Sequence, residues 1–546
     1  MEQYQPNRPI TGAFDPDCAA RCLNGTFVGS TRDGVTAFRG IPFAQPPVGK
    51  LRWKEPVPAL AADGVFEALH NGPSAIQTKL DSERASLFYQ SEDCLYLNVW
   101  TAAGYAGQKR PVMVFIHGGN YGWGGTADPL YDGHNFVHAH PEVVLVTIAY
   151  RIGIMGFMDF SEVPGGEAYS TSGNLGLLDQ ICALRWVQAN IAAFGGDPTN
   201  VTIFGESAGA GSVSLLPLIP AAKGLFSRVI AQSGSVALTY SRKESLPLTR
   251  QLLHAAKAKR MEDLLALSEN QLKAVNETVG QSNNFPERDG VVLPKDLYAA
   301  YEHGEAQPVQ MLIGTNADEL RYWILDLGGL VPYRHTSYVL WNSTLKQLKD
   351  EDRQRAELFR QLQQDKGVKD RPWQVTEFFN ELLFRLPAIR QAEAHAAHGN
   401  RVFLYYWEYP SALPHLGACH AVELAYVFHN LHETVYTGEG PDEVLAATVQ
   451  QMWVNFAKTG DPSLEELPWA SYSKAARDTM LLGRKPHVER NWRDPERQYL
   501  FPLLDYCFNG NSTATSIDLS PLWKTAALAA GAGITALLLW RLLRKR

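Results

Sequence analysis

Apolar residues in the first half of the chain pass from the spacing of a helix to the composition of a strand and back to a helix. Residues 201–204, VTIF, are β-branched or aromatic and predict a buried strand, and the small residues that begin at Ala208 suit a helix. Upstream of this strand, four apolar residues recur at helical spacing: Leu177, Ile181, Leu184 and Ile191. The pattern predicts a sharp turn between the strand and the second helix.

That turn has the sequence Gly205-Glu206-Ser207-Ala208-Gly209. A tight strand-to-helix turn holds its central residue in a strained backbone conformation, and flanking glycines avoid collisions between Cβ atoms. The Ser207 hydroxyl is then presented at the carboxyl edge of the sheet, where it suits a nucleophile. The alternative is a glycine-rich turn without chemistry, but the strand and helix around the motif favour the nucleophile.

A second apolar run, PVMVFIHGGN at residues 111–120, predicts a strand that ends in a histidine and two glycines. Glycines let the backbone approach a substrate, and an N–H group aimed at a developing oxyanion typically lowers the barrier by ~3 kcal/mol. We assign the oxyanion donors to the N–H groups of Gly119, Asn120 and Ala208. The alternative is a strand that simply ends in a glycine turn.

A serine nucleophile needs a general base and an acid, and in a strand–turn–helix hydrolase both follow it along the chain. Residues 308–319 predict a strand that runs into a loop with Asp318 and Glu319. A later strand pattern, RVFLYYWEY, is followed by a loop with His415 and His420. Spacing alone leaves all four pairings of these acids and histidines open.

Composition narrows the class of protein. The chain of 546 residues is 45% hydrophobic and 20% charged, which is typical of a globular enzyme. No linker, repeat or charge block divides it before its C-terminal tail, so we expect one large domain over residues 1–508. The net charge of -7 argues against a nucleic-acid partner.

The six cysteines show no paired spacing typical of a zinc site, and the expected chemistry needs neither a metal nor an organic cofactor. Cys18 and Cys22 could form a disulfide or stay reduced. Cys182 lies in a helical pattern and is predicted to be part of the core.

The C-terminal tail differs from the rest of the chain. Residues 523–540, WKTAALAAGAGITALLLW, carry one charge, at Lys524, and would form a helix of about 27 Å, close to the ~30 Å hydrocarbon core of a bilayer. We therefore expect a polar linker at residues 509–522 and a transmembrane anchor with a basic tail at residues 523–546. The alternative is an alanine-rich helix docked on the protein.

The polar amino-terminal sequence lacks the apolar stretch of a secretory signal. The expectation is a membrane-anchored protein whose catalytic domain stays in the cytosol, and the alternative is a soluble cytoplasmic protein.

Three segments together resemble the type-B carboxylesterase and cholinesterase family, in the form of its microbial carboxylesterases. They are FRGIPFAQPPVGKLRW at residues 38–53, SEDCLYLNV at residues 91–99 and FGGDPTNVTIFGESAG at residues 194–209. The resemblance runs from about residue 23 to about residue 505 and implies an α/β-hydrolase fold, with a large, mostly parallel twisted sheet, helices on both faces and a gorge that leads to the serine.

The resemblance also implies roles for single residues. The last residue of GTNADE, Glu319, matches the acid of the family, and the histidine of GACHAVEL, His420, matches the base. Ser233, in AQSGS, matches a serine near the acid. With Ser207 as nucleophile, Glu319 would fix the tautomer of His420 and stabilise the imidazolium that forms during attack.

Two departures weaken a cholinesterase assignment. Secreted eukaryotic members close a disulfide on the cysteine that matches Cys94, but residues 71–74 offer no partner. The segment from residue 74 to residue 94 also lacks a tryptophan that could hold a quaternary ammonium group, although Phe88 and Tyr89 remain.

The sequence thus predicts a serine carboxylesterase that hydrolyses small-molecule carboxylic esters through an acyl-enzyme. The alternatives are a non-catalytic binding or adhesion protein of the same fold, a lipase and an amidase. Retention of Ser207, Glu319 and His420 favours the enzyme, and Trp123, Tyr322 and Trp323 are candidates for an aromatic wall of the gorge.

Overall fold

The computed structural model describes residues 4–78, 87–279, 284–508 and 515–517. The strands, in chain order, are β1 (Ala19–Cys22), β2 (Gly25–Val28), β3 (Ser30–Arg32), β4 (Val35–Pro42), β5 (Val65–Glu67), β6 (Tyr96–Ala102), β7 (Arg110–Ile116), β8 (Val144–Ile148), β9 (Gly196–Glu206), β10 (Arg228–Gln232), β11 (Gln310–Asn316), β12 (Val402–Trp407), β13 (Thr479–Leu482), β14 (His487–Glu489), β15 (Tyr506–Phe508) and β16 (Thr515–Ile517).

Helices connect and cover these strands. They are α1 (His134–Ala139), α2 (Gly153–Gly156), α3 (Leu175–Asn190), α4 (Ala208–Leu215), α5 (Arg242–Ala256), α6 (Met261–Leu265), α7 (Glu269–Val279), α8 (Leu297–Glu302), α9 (Trp323–Asp326), α10 (Leu330–Gln347), α11 (Asp350–Asp365), α12 (Arg371–Asn380), α13 (Leu386–Ala396), α14 (Leu424–Val427), α15 (Glu443–Thr459) and α16 (Asp494–Leu500). A π-helical turn at Glu381–Arg385 joins α12 to α13.

Eleven strands form one sheet in the order β14-β13-β12-β11-β10-β9-β7-β8-β6-β4-β3. Every neighbouring pair from β13 to β8 is parallel. The pairs at the two ends of the sheet are antiparallel: β14 with β13 at one end, and β8 with β6, β6 with β4 and β4 with β3 at the other. The predicted large, mostly parallel sheet is therefore confirmed.

Side chains of β7 alternate between two hydrophobic cores, because successive residues of a strand point to opposite faces of a sheet. Val112, Val114 and Ile116 lie in one core with residues of α3, α4 and α13. Met113 and Phe115 lie in the other with residues of α1, α14 and α15. Helices therefore cover both faces of the sheet, as predicted.

Four of the parallel strands end at the same edge of the sheet. β7 ends at Ile116, which pairs with Gly205 in β9, and β11 ends at Asn316, which pairs with Trp407 in β12. The loop that follows each of these strands carries one of the predicted site segments. The topology thus collects segments that are far apart in the sequence at one edge, as is usual for sites in parallel α/β sheets.

The cysteines left open by the sequence are free thiols. Cys18 and Cys22 are not joined to each other, and Cys94 is buried and unbonded. Cys182 lies in α3 with 6% of its surface exposed, which confirms its predicted place in the core.

In the part of the chain that the structure describes, no helix combines the length and the apolar character needed to cross a bilayer. The predicted anchor at residues 523–546 lies outside the described residues, as does the linker at residues 509–522 apart from β16.

Candidate active site

Ser207 is the single residue between β9 and α4, and its backbone combines a positive φ of 56° with a ψ of -119°. The turn is tight enough to require its glycines: a Cβ on Gly205 would lie 2.5 Å from the carbonyl carbon of Gly209, and a Cβ on Gly209 would lie 1.9 Å from the carbonyl oxygen of Ile116. Such backbone strain in a serine is typical of a functional turn. The predicted strand, sharp turn and helix are confirmed.

The glycine loop that follows β7 lies against this turn. A Cβ on Gly118 would lie 3.1 Å from the Cβ of Ser207. The next residues, Gly119 and Asn120, have φ angles of 100° and 56°, so the loop bends sharply beside the serine. Ala208 is the first residue of α4. The segments assigned to the oxyanion donors are therefore neighbours in space, and the donor roles stay predictions.

Glu319 and His420, which are 101 residues apart in the chain, are joined by a short hydrogen bond. The Nδ1 atom of His420 lies 2.6 Å from Oε2 of Glu319. The other oxygen of Glu319, Oε1, accepts the N–H of Asn316 at 2.8 Å. Since only 1% of the Glu319 surface is exposed, these two bonds fix the carboxylate and, through it, the Nδ1 edge of the imidazole.

The structure separates this pair from the other two candidates. Asp318 turns away from His420: its carboxylate accepts the N–H of Ala418 at 2.9 Å and pairs with Arg321 at 2.8 Å. His415 is exposed on the same loop as His420, with a left-handed φ of 70°. Of the four pairings that spacing left open, the structure brings together Glu319 and His420.

Glu206, the residue just before the serine, is a second carboxylate at the imidazole that the sequence reasoning missed. Its Oε1 lies 3.1 Å from Nε2 of His420, and 3% of the residue is exposed. The two atoms form an ion pair by distance without the alignment of a good hydrogen bond. The only sequence signal was its place inside the GESAG motif, where the hydrolase pattern accepts any residue.

Charge and burial act in opposite directions on His420. Burial alone favours the neutral ring, but the carboxylates of Glu206 and Glu319 outweigh it and raise the pKa of His420 to about 9. Burial raises the pKa of Glu206 to about 8, against the lowering effect of His420 and with a further rise from the charges of Glu423 and Glu319. The protonation of His420 therefore depends on that of Glu206, and the two groups titrate as a coupled pair.

A third carboxylate, Glu423, is fully buried, and its charge acts on both His420 and Glu206. It accepts hydrogen bonds from Nδ2 of Asn316 at 2.6 Å and from Nε2 of Gln232 at 3.2 Å. Ser233 follows Gln232, and its N–H donates to the carbonyl oxygen of Gly314 at 2.9 Å. The hydroxyl of Ser233 has no hydrogen-bond partner within the described ranges, so a direct bond to Glu319 is not what holds the acid.

Aromatic rings flank the imidazole. The centroids of Phe384 and Tyr322 lie 5.3 Å and 6.0 Å from that of His420. Trp323 lines a cavity of about 10 Å³ with Leu320, next to the acid, whereas the carbonyl of Trp123 lies against Gly119. Tyr322 thus lies beside His420, and an aromatic wall of a gorge stays a prediction. Phe384, from the π-helical turn, is a neighbour of His420 that the sequence pattern did not indicate.

Among the described residues, no cluster of three or more histidine, cysteine, aspartate or glutamate side chains has the geometry to hold a metal ion. The chemistry that the site offers is a strained serine, an imidazole between carboxylates and a glycine loop against the serine. This is the set of groups needed for nucleophilic attack on a carbonyl, with a base for the proton and a backbone surface for the oxyanion.

Comparison with known proteins gives consistent matches over most of the chain. A model of the carboxylesterase family matches residues 20–500. The para-nitrobenzyl esterase of Bacillus subtilis (strain 168) is 37% identical over 506 residues, which cover 88% of this chain and 97% of that protein. The cocaine esterase of Homo sapiens is 34% identical over 499 residues, or 84% of this chain and 85% of that protein.

Solved structures agree with these matches. The crystal structure of the carboxylesterase EST55 of Geobacillus stearothermophilus at pH 6.2 has a TM-score of 0.76 and 34% identity, and covers 88% of this chain and 99% of its own. A structure of PNB esterase has a TM-score of 0.77 and 36% identity, with coverage of 89% and 99%. These neighbours confirm the predicted α/β-hydrolase fold.

Proposed function

The chain belongs to the carboxylesterase family and is a carboxylic ester hydrolase, and on that premise we propose that Ser207, His420 and Glu319 form its catalytic triad. The observation that carries the proposal is the 2.6 Å contact between Nδ1 of His420 and Oε2 of Glu319, at the sheet edge where Ser207 is held on its strained turn. The substrates are small-molecule carboxylic esters, in keeping with the esterases that the chain resembles.

The proposed reaction has two acyl-transfer steps. Nε2 of His420 takes the hydroxyl proton of Ser207 while Oγ of Ser207 bonds to the ester carbonyl carbon. The carbonyl oxygen then becomes an oxyanion. The oxyanion is held by the N–H groups of Gly119, Asn120 and Ala208. The intermediate collapses to an acyl-enzyme, and the alcohol leaves with the proton from His420.

Water then takes the place of the alcohol. His420 removes a proton from it as the water oxygen bonds to the acyl carbon. The second tetrahedral intermediate then breaks its bond to Oγ of Ser207, which takes the proton from His420 as the carboxylic acid is released. The buried carboxylate of Glu319 stabilises the imidazolium in both steps and holds Nε2 toward the reacting atoms.

A labelling experiment tests the nucleophile. We expect Ser207→Ala to abolish hydrolysis of p-nitrophenyl acetate and labelling by a fluorophosphonate probe, while the thermal unfolding transition remains. Ser227→Ala is the matched control, because Ser227 precedes β10 at the opposite end of the parallel strands and should leave both readouts unchanged. Mass spectrometry of the labelled peptide identifies the serine, and a label on any other serine contradicts the proposal.

We also propose that residues 523–546 anchor the catalytic domain, residues 1–508, to a membrane through the linker at residues 509–522, with the domain in the cytosol. The support is the apolar run between two tryptophans and the basic residues after it. Truncation after Asp518 should move the protein from the membrane fraction to the soluble fraction. A full-length chain that is already in the soluble fraction contradicts the anchor, and protease protection tests the side of the membrane.

A further inference from the structure

Two loops meet at the active-site edge of the sheet and are joined by a set of hydrogen bonds, which we call the loop clasp. It consists of residues 316–319, which begin at the last residue of β11, and residues 417–420, which end at the histidine. At its centre, Asp318 and Ala418 exchange two bonds of 2.9 Å: the N–H of Asp318 donates to the carbonyl oxygen of Ala418, and Oδ2 of Asp318 accepts the N–H of Ala418.

Two further bonds extend the loop clasp toward the imidazole. Nδ2 of Asn316 donates to the carbonyl oxygen of Cys419 at 2.9 Å. The N–H of His420 donates to the carbonyl oxygen of Glu319 at 3.3 Å. Each peptide group from residue 418 to residue 420 is therefore tied to the loop that carries the acid, so the backbone of the histidine follows the position of that loop.

Asp318 is itself fixed by charge and burial. Its side chain is 16% exposed, and Oδ1 pairs with the guanidinium of Arg321 at 2.8 Å. That guanidinium lies 4.5 Å from the ring centroid of Trp373, in α12. A carboxylate held by a cation on one oxygen and by a backbone N–H on the other has little freedom to turn.

Gly417 permits the close approach. A Cβ at this position would lie 2.2 Å from Oδ2 of Asp318, and the residue has a left-handed φ of 59°. Any larger residue would therefore collide with the carboxylate that binds the next N–H along the chain. The Asp318 carboxylate can therefore reach the Ala418 N–H only because residue 417 is a glycine.

We propose that Asp318 is a positioning residue, which acts through the Ala418 peptide to hold the His420 loop in register with Glu319. This inference rests on the proposed triad and goes beyond it, because Asp318 touches neither the substrate nor the reacting atoms. Displacement of a catalytic group by about 1 Å can cost on the order of 100-fold in rate. Loss of the bond between the Ala418 N–H and the Asp318 carboxylate should therefore lower kcat, while the surfaces that contact the substrate are unchanged.

The test measures kcat and KM of the full-length protein, with active sites counted by the p-nitrophenol burst so that unfolded protein does not contribute. We expect Asp318→Ala to lower kcat by about 30- to 100-fold with little change in KM. Asp318→Asn keeps an oxygen that can accept from Ala418, and we expect it to restore most of the lost kcat. Proton NMR should show the low-field signal of the His420 Nδ1–H weakened in Asp318→Ala.

Two matched controls separate position from general stability. Asp478 is a similarly buried aspartate that pairs with Arg490 at 3.1 Å, and it precedes β13 at the opposite edge of the sheet. Asp478→Ala should leave kcat per active site and the NMR signal unchanged. Gly399 has a left-handed φ of 79°, in the same region as that of Gly417, but it has open space around it. Gly399→Ala should therefore lower stability alone, whereas Gly417→Ala should lower kcat as Asp318→Ala does.

The outcomes are distinct. Wild-type kcat in both Asp318→Ala and Gly417→Ala, or an equal loss in Asp478→Ala, overturns the positioning role while the triad stands. Wild-type kcat in His420→Ala overturns the triad itself, and with it the proposal. If Asp318→Ala does not fold, Gly417→Ala and Asp318→Asn still decide the question.

Discussion

The Nε2 atom of His420 lies 3.1 Å from Oε1 of Glu206, while Nδ1 of the same ring lies 2.6 Å from Oε2 of Glu319. The imidazole is therefore held between two buried carboxylates, one on each nitrogen. Nε2 is the atom that must accept the proton of Ser207 in the proposed mechanism, so Glu206 stabilises the protonated ring at the position where the base has to be free.

Glu206→Gln should change the pH dependence of the reaction. The two carboxylates raise the pKa of His420 to about 9, and a base acts only when it is unprotonated, so kcat/KM of the wild type should fall as the pH drops through this region. Removal of one negative charge lowers the pKa of His420. We therefore expect the acidic limb of the kcat/KM profile to move down by about 1 pH unit or more.

The profile is measured with a p-nitrophenyl ester whose own hydrolysis is subtracted at each pH. Glu489→Gln, in the edge strand β14, removes the same charge away from the site and should leave the profile in place. An unshifted limb in Glu206→Gln would show that Glu206 does not act on the base.

A buried ion pair near the amino terminus gives a prediction for stability. The guanidinium of Arg52 binds both carboxylate oxygens of Glu92, at 2.6 Å and 2.7 Å, and donates to the carbonyl oxygen of Leu267 at 2.7 Å. Their side chains are 7% and 5% exposed. Loss of one partner leaves an unpaired buried charge, so Glu92→Gln should lower the free energy of unfolding by about 3 kcal/mol or more.

Urea denaturation measures this change if the transition is reversible, and the thermal midpoint serves otherwise. The exposed pair of Arg32 and Asp33, with side chains 73% and 68% exposed, is the control, and Asp33→Asn should cost less than about 1 kcal/mol. Equal effects of the two substitutions would contradict the assigned role of burial.

The sequence predicted the nucleophile turn well and the acid–base pair poorly, for a physical reason. The turn at Ser207 is local, and its strand, glycines and helix are adjacent in the chain. Glu319 and His420 meet only because β11 and β12 are neighbours in the sheet, and spacing carries no information on which loop residues then face each other. The resemblance to a family supplied that choice.

Glu206 was missed for the opposite reason. It is adjacent to the nucleophile, but its role depends on a ring brought from residue 420 by tertiary structure. Asp318 shows the same limit: next to Glu319 in the chain, it binds the loop of the histidine rather than the histidine itself.

The nucleophile turn should tolerate no side chain at Gly209. A Cβ there would lie 1.9 Å from the carbonyl oxygen of Ile116, which is backbone and cannot move aside without displacing β7. We expect Gly209→Ala to lower kcat by at least about 100-fold, since the strand also leads into the glycine loop at residues 117–120. Gly12→Ala, with open space around it, should be silent in the same p-nitrophenyl acetate assay. Wild-type activity in Gly209→Ala would mean that the turn is looser than this packing implies.

Glu287 should make the protein less stable at high pH. The residue is 3% exposed and accepts a hydrogen bond from the hydroxyl of Ser245. Burial, with added repulsion from Asp159 and Asp289, raises the pKa of Glu287 to about 7, although the Ser245 bond and Arg242 act to lower it. A carboxyl whose pKa is higher in the folded than in the unfolded state binds protons more tightly when folded. Its contribution is complete below its ordinary pKa and is lost as the pH rises through about 7.

Glu287→Gln carries no charge at any pH and keeps an oxygen that can accept from Ser245. At pH 5 the thermal midpoint of the variant should equal that of the wild type or fall slightly below it. At pH 9 the midpoint of the variant should be higher by about 1–3 °C, because only the wild type then has to bury a charge. Differential scanning calorimetry at the two pH values measures the crossing. Glu305→Gln, whose wild-type side chain is 58% exposed, should show no such dependence, and a Glu287→Gln curve parallel to the wild type at both pH values would contradict the raised pKa.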